Sequence, residues 1–137
     1  MWKIKHNKSF PSDPDLLPEI EDWIMEIAQE ANLNEDKFNH LALSVAEASA
    51  NSIVHGNKGD KNIPIDIKVT YDSEQIEITF SDRGTGFKIE EVPDPTAPEN
   101  LLKDNGRGIH IMKSFLDDLR YSFSDSGTEV TLVLKLN

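Results

Sequence analysis

The chain has no cysteine among its 137 residues, and this absence removes several kinds of site at once. Without thiols it can form no disulfide framework, no thiolate metal centre and no cysteine nucleophile. Long apolar runs are also missing, because hydrophobic residues make up only 37% of the chain and no stretch approaches the length of a membrane-spanning helix. The N-terminal run MWKIKHNKSF lacks the apolar core of a secretion signal. These absences predict a cytoplasmic protein.

Basic residues are few. Lys and Arg number 14 against 25 Asp and Glu, which gives a formal net charge of -11 at pH 7. Because such a surface repels phosphate groups, the balance argues against direct nucleic-acid binding and against an anionic membrane. A protein partner, or a small ligand whose charge is neutralised locally, fits the composition better.

The length and the hydrophobic pattern predict one domain over residues 1–137 that combines helices with antiparallel strands. The alternating run WKIKHNKSF predicts a first strand, and apolar residues at helical spacing from Leu16 to Ile27 predict a helix. Asn34 is a candidate N-cap for a second helix, which Gly56 can end. Two pairs of alternating runs predict two hairpins: IPIDIKVTY with QIEITFSD, and RYSFSD with TEVTLVLKL.

The second predicted helix carries an acid and an amide four residues apart, Glu47 and Asn51 in LALSVAEASANSIVHGN. Residues at this spacing project from one face of a helix. Glu47 can act as a general base or can position a water molecule, and the side-chain oxygen of Asn51 is a hard neutral ligand suited to Mg²⁺. The alternative is a solvated helix face without a function. The small residues around the pair favour a site, because they let a ligand or a strand approach closely.

A first glycine-punctuated segment, SDRGTGF, follows a predicted strand. Asp82 ends that strand, and Gly84 and Gly86 follow at alternate positions. A buried acceptor at a strand end can bind an exocyclic amine such as that of adenine, and glycine lets the backbone approach a ring or a phosphate. The alternative is an ordinary Asp-x-Gly turn.

A second glycine-punctuated segment, DNGRGIHIM, opens an amphipathic run with Gly106, Arg107 and Gly108. Backbone amides at the start of a helix can hold phosphate, and a guanidinium adds positive charge beside them. The alternative is a flexible hinge before a helix. Between the two glycine segments the irregular stretch 88–105 contains three prolines, and a loop of this length inside a compact domain is usually functional, often as a lid.

The order of these segments resembles the GHKL, or Bergerat, ATP-binding fold: Glu-x-x-x-Asn on a helix, Asp-x-Gly-x-Gly after a strand, then Gly-x-Gly opening a helix. The similarity runs from about Phe38 to Val133. Within that superfamily, EASANSIVHGN, DRGTGF, PDPTAPENLL and GRGIHIM are similar to segments of the anti-sigma factor serine/threonine kinases. The resemblance implies an α+β fold, a two-layer α/β sandwich whose mixed, mostly antiparallel sheet is covered on one face by helices.

The resemblance also implies a role for each matching residue around ATP and Mg²⁺. By position, Glu47 corresponds to the catalytic base toward a substrate hydroxyl, Asn51 to a ligand of Mg²⁺, and Asp82 to the contact with the adenine amino group. Gly84 and Gly86 correspond to residues that shape the adenine side of the pocket.

Three further positions are implied at the other segments of the pattern. Gly106, Arg107 and Gly108 match the place where the family's lid meets the triphosphate. Thr128, in the pair Gly127-Thr128, matches a last and weaker motif near adenine.

The function implied is phosphotransfer from ATP to a serine or threonine of an anti-anti-sigma protein of the STAS type, together with sequestration of a sigma factor. The family likeness also implies a homodimer. The alternative is a non-catalytic module that binds ATP, or binds protein partners, without transferring phosphate. The presence of both Glu47 and Asn51 favours the enzyme.

Overall fold

The structure is a computed structural model, and it describes residues 3–83 and 106–136, with the side chains of residues 106 and 107 left aside. Every structural statement below concerns those residues. The predicted lid, 88–105, and two of the predicted site residues, Gly84 and Gly86, lie outside them.

Five strands and three α-helices follow one another along the described chain. The strands are antiparallel throughout, in the order β1-β2-β3-β5-β4, and the predicted α+β architecture with a mostly antiparallel sheet is confirmed. The elements are β1 (Ile4–Pro11), a 3₁₀ turn (Pro14–Leu16), α1 (Leu17–Glu30), α2 (Glu35–Ala50), a π-helical segment (Asn51–Gly56), β2 (Pro64–Tyr71), β3 (Gln75–Asp82), α3 (Gly106–Phe115), β4 (Asp118–Ser124) and β5 (Gly127–Lys135).

The helices begin where the sequence predicts. Pro18 stands in the first turn of α1, where a missing N–H costs nothing. The side chain of Asn34 accepts a hydrogen bond from the backbone N–H of Lys37 at 2.8 Å, so the predicted N-cap of α2 is confirmed. Helix α2 contacts both α1 and α3, which makes it the central helix of the layer.

Both predicted hairpins are present. In the first, the Asp72 carboxylate accepts the backbone N–H groups of Glu74 and Gln75 at 2.8 and 3.0 Å, which fixes the turn between β2 and β3. These two bonds also hold the pKa of Asp72 below its ordinary value. The second hairpin joins β4 to β5 with Ser124 paired to Gly127.

The core lies on one face of the sheet. Alternate residues of β2 and β3 are fully or almost fully buried beneath the helices: Ile65, Ile67, Val69, Ile76, Ile78 and Phe80. The opposite face is polar, and Thr79 and Thr131 hydrogen-bond across it at 3.0 Å. Because only one face carries helices, a pocket between the two layers can open at the ends of the strands.

Within the described ranges, no helix is both long and apolar enough to cross a membrane.

A substitution at Gly127 can test how closely β5 approaches the end of β3. Its φ of 143° is a conformation that side chains disfavour, and a Cβ there would overlap the carbonyl oxygen of Asp82. We expect Gly127→Ala to lower the free energy of unfolding by about 3 kcal/mol or more, since backbone strain and the strand contact are both disturbed. Urea denaturation measures the change.

The matched control is Gly59→Ala. Gly59 also has a positive φ, 68°, but its Cβ would meet only the Pro14 ring, at 3.8 Å. This variant should lose about 1 kcal/mol, the cost of the backbone conformation alone. Equal losses in the two variants would show that the Asp82 contact adds nothing.

Candidate functional site

Glu47 and Asn51 stand where α2 changes into the π-helical segment. Glu47 lies in the last turn of α2, and Asn51 is its C-terminal cap, with a backbone N–H that points to the carbonyl oxygens of both Glu47 and Ala48. Both side chains are half-buried. Such widened turns inside helices occur frequently at functional sites, because they change the direction of the side chains that follow.

The first turn of α3 lies against Glu47. A Cβ on Gly108 would overlap Oε2 of Glu47 and would stand 3.1 Å from its Cδ, so only glycine leaves the carboxylate in its present place. Gly106, Arg107 and Gly108 are the first three residues of α3. The carboxylate is therefore next to the positive end of the dipole of α3. The motif on α2 and the second glycine segment are thus neighbours in the structure.

Asp82 ends β3 and is buried, with 8% of its surface exposed. Its Oδ1 accepts the backbone N–H of Thr128 at 3.3 Å, and Asp82 and Thr128 are direct partners in the β3–β5 ladder. A Cβ on Gly56 would overlap Oδ2 of Asp82 and would lie 2.9 Å from its Cβ. The last residue of the π-helical segment thus lies directly against the carboxylate.

Asn57 is a structural part of the site whose role the sequence did not reveal. It is almost fully buried, and its side chain bonds to three segments: Nδ2 donates to Ser12 Oγ at 2.9 Å and to Pro64 O at 3.2 Å, while Oδ1 accepts the N–H of Arg83 at 2.7 Å. Asn57 directly follows Gly56, the last residue of the π-helical segment. Its partners are distant along the chain, so no local pattern signals them.

An aromatic pair borders this end of the sheet on β4. The rings of Tyr121 and Phe123 stack with their centroids 5.9 Å apart, and Phe123 is the ladder partner of Thr128. Burial raises the pKa of Tyr121 to about 12, because apolar surroundings disfavour the charged phenolate. The pair therefore forms an apolar border two strands away from Asp82.

The predicted site residues form two groups joined by one helical segment. Glu47 meets Gly108 at one group, and Asp82 meets Thr128 and Gly56 at the other, with the segment Asn51–Gly56 between them. The roles inferred for all of these residues stay predictions, and those of Gly84, Gly86 and the side chain of Arg107 concern atoms outside the described structure.

Asn51, at the start of the segment between the two groups, fits a magnesium ion. Its side-chain amide offers a hard neutral oxygen, and Mg²⁺ prefers oxygen ligands. Among residues 3–83 and 106–136 no cluster of three or more His, Asp or Glu side chains could hold a metal ion. In nucleotide sites Mg²⁺ is usually bound by one or two protein ligands together with phosphate oxygens.

Comparison with known proteins identifies the class. The family model described as "Histidine kinase-like ATPase domain" matches residues 10–134. The chain belongs to this family. The fold agrees, since the histidine kinase domain of a blue-light activated histidine kinase from Erythrobacter litoralis superposes with a TM-score of 0.59 over 92% of this chain. The chain spans 61% of that longer structure, and at 18% identity the likeness concerns the fold alone.

Relatives narrow the class further. The anti-sigma F factor of Clostridium perfringens is 32% identical over 107 residues, which cover 74% of this chain and 75% of the relative. The serine-protein kinase RsbW of Bacillus subtilis is 24% identical over 133 residues, covering 93% and 82%. Within the histidine kinase-like ATPases, the chain thus belongs to the branch that contains anti-sigma F factors and RsbW.

A substitution at Gly56 can test whether ATP binding depends on the position of the Asp82 carboxylate. In Gly56→Ala the new methyl group must displace that carboxylate, so we expect the Kd for ATP to rise about tenfold, the equivalent of one hydrogen bond. The melting temperature should fall as well, because the methyl group would lie 2.9 Å from the Cβ of buried Asp82 and the surrounding atoms must shift. Calorimetric titration and thermal melting measure the two quantities. Gly59→Ala, whose Cβ meets neither carboxylate, should keep the wild-type Kd.

Proposed function

We propose that the protein is an anti-sigma factor serine/threonine kinase, which phosphorylates an anti-anti-sigma protein of the STAS type and sequesters a sigma factor in the cytoplasm. The observation that carries the proposal is the contact of Glu47 with the first turn of α3. It brings a carboxylate next to a helix N-terminus, which is the chemistry needed where a hydroxyl attacks a phosphoryl group. The relatives named as anti-sigma F factor and serine-protein kinase support the same function.

In the proposed reaction Glu47 is the base. The serine or threonine oxygen of the partner forms a bond to the γ-phosphorus of ATP while the bond from that phosphorus to the β,γ-bridging oxygen breaks. ADP leaves with the bonding electrons, and the hydroxyl proton passes to the Glu47 carboxylate. A half-buried carboxylate suits this task because it is reachable by the partner and is partly screened from water.

The phosphates are assigned to the side of the pocket between α2 and α3. When bound, Mg²⁺ neutralises charge on the β- and γ-phosphates, and Asn51 is its proposed protein ligand. The backbone N–H groups at Gly106, Arg107 and Gly108 lie at the start of α3, where anions are favoured. Arg107 is proposed to add its guanidinium to the same phosphates.

The adenine is assigned to the other group. Asp82 accepts the exocyclic amine, with Thr128 beside it in the ladder and Gly84 and Gly86 following in the chain. Asp82 ends β3, the central strand of the sheet, and a side chain on such an element is positioned more precisely than one on a loop. The segment Asn51–Gly56 spans from the phosphate side to this base side.

Phosphorylation is proposed to release the partner. A phosphoserine brings about -1.5 to -2 charges to the contact surface. The protein already carries a formal net charge of -11, so the modified partner is repelled and the sigma factor can bind in its place.

The Glu47 role is tested by Glu47→Gln in a phosphotransfer assay with γ-labelled ATP, Mg²⁺ and the anti-anti-sigma proteins of the same organism. The amide cannot accept the proton, so we expect transfer to fall at least a hundredfold while the Kd for ATP stays within about twofold. Wild type without Mg²⁺ is the control for metal dependence. Undiminished transfer in the variant would remove Glu47 from the base role.

Two other results of this assay would change the proposal. ATP binding by the wild type without label on any partner would favour a nucleotide-dependent binding module. A wild-type chain that does not bind ATP would contradict the assignment of the pocket itself.

We also propose that the protein is a homodimer, as its likeness to the anti-sigma factor kinases implies. Light scattering of the purified chain, whose protomer mass is 15.4 kDa, should give twice that mass and a dissociation that depends on concentration. A mass of one protomer at micromolar concentration would contradict the dimer and would leave the kinase assignment unaffected.

A further inference from the structure

Asn57 forms hydrogen bonds through both its backbone and its side chain. Its own N–H donates to Ser52 O at 2.9 Å, and its carbonyl accepts the N–H of Asp60 at 3.0 Å. The side chain adds the bonds to Ser12, Pro64 and Arg83. With 2% of its surface exposed, Asn57 is a buried polar group whose donors and acceptors are all used.

The partners of Asn57 fix the orientation of its amide. Pro64 O can only accept and the N–H of Arg83 can only donate, so Nδ2 must face Pro64 and Oδ1 must face Arg83. Ser12, which is fully buried, accepts from Nδ2 and in turn donates to Ile63 O at 2.6 Å. The amide group therefore has two halves. Its donor half, Nδ2, bonds to Ser12 after β1 and to Pro64 at the start of β2, and its acceptor half, Oδ1, bonds to Arg83 after β3.

The acceptor half of the Asn57 amide lies close to Asp82, the residue whose carboxylate is assigned to the adenine. Arg83 follows Asp82 directly, and the N–H of Arg83 is the group that Oδ1 of Asn57 holds at 2.7 Å. Gly56, which precedes Asn57, lies against the carboxylate of Asp82 itself. Two consecutive residues at the helix end thus hold two consecutive residues at the strand end.

We propose that Asn57 is a positioning residue for nucleobase selection: through the N–H of Arg83 it fixes the backbone that carries Asp82, and so aims the carboxylate at the exocyclic amine of adenine. The inference rests on the proposed function, because it takes Asp82 as the acceptor for that amine. It assigns to Asn57 no contact with the nucleotide. Loss of the acceptor half lets the strand end shift, and a misaimed acceptor loses the preference for an amine over an oxygen.

The test compares the Kd of ATP with that of inosine triphosphate, which has an oxygen in place of the exocyclic amine. Asn57→Leu fills similar space and loses both halves of the amide. We expect its preference for ATP over inosine triphosphate to fall about tenfold from the wild-type value. Asp82→Asn sets the size of a complete loss of selection, since its side chain is the proposed acceptor.

Ser12→Ala is the matched control. It removes a buried partner of the donor half and leaves the bond from Arg83 to Asn57 intact. We expect a lower melting temperature with a selectivity ratio within about twofold of the wild type. A role of Asn57 in stability alone would instead give both variants a lower melting temperature and the same unchanged ratio.

The outcomes separate this inference from the proposed function. A folded Asn57→Leu that keeps the wild-type ratio overturns the inference, and so does a Ser12→Ala that loses the ratio. If Asn57→Leu does not fold, Asn57→Ser replaces it, because serine is too short to reach Arg83 and leaves room for water; the same tenfold fall is expected. A wild type that binds ATP and inosine triphosphate equally overturns the assignment of Asp82, and with it the inference.

Discussion

The approach of the π-helical segment Asn51–Gly56 to the end of β3 is the constraint on which the site depends. Asp82 is buried, and a buried carboxylate is costly unless hydrogen bonds satisfy it, so its partners at the strand end must stay in place. Gly56 supplies the space beside it, Thr128 supplies an N–H, and Asn57 holds the next peptide group. Each of these contacts joins residues that are far apart in the chain.

Antiparallel pairing explains why so many partners meet there. With the strand order β1-β2-β3-β5-β4, the ends of β1, β3 and β4 and the beginnings of β2 and β5 lie at one end of the sheet. The helices cover one face only, and α2 runs down the middle of that layer. Its final turns therefore arrive above the same end of the sheet, where backbone groups of four connections are available for bonding.

Much of this arrangement could be predicted from local patterns. Alternation along β2 and β3 predicted the first hairpin, and Asn34 predicted the N-cap of α2. The fold class could be predicted, and is confirmed, because the hydrophobic periodicity of helices and strands depends only on near neighbours along the chain. The match of the family model to residues 10–134 agrees with the resemblance to the GHKL fold.

The contacts across the site could not be predicted from local sequence patterns. The widened turn at Asn51, the network of Asn57 and the placement of Gly56 and Gly108 against two carboxylates are tertiary features, set by how α2, α3 and β3 pack. A glycine that makes room for a distant side chain looks like any other glycine in the sequence. Propensity explains where an element ends, and packing decides what its end touches.

The contact of Gly108 with Glu47 has a consequence for how such a chain can diverge. A single methyl group at position 108 would push the carboxylate out of place while leaving the acid itself in the sequence. A descendant could thus give up chemistry and keep nucleotide binding with its Glu-x-x-x-Asn motif unchanged. Within this branch, inspection of the motif acid alone would count such a descendant as an enzyme, and the residue across from it would be the better guide.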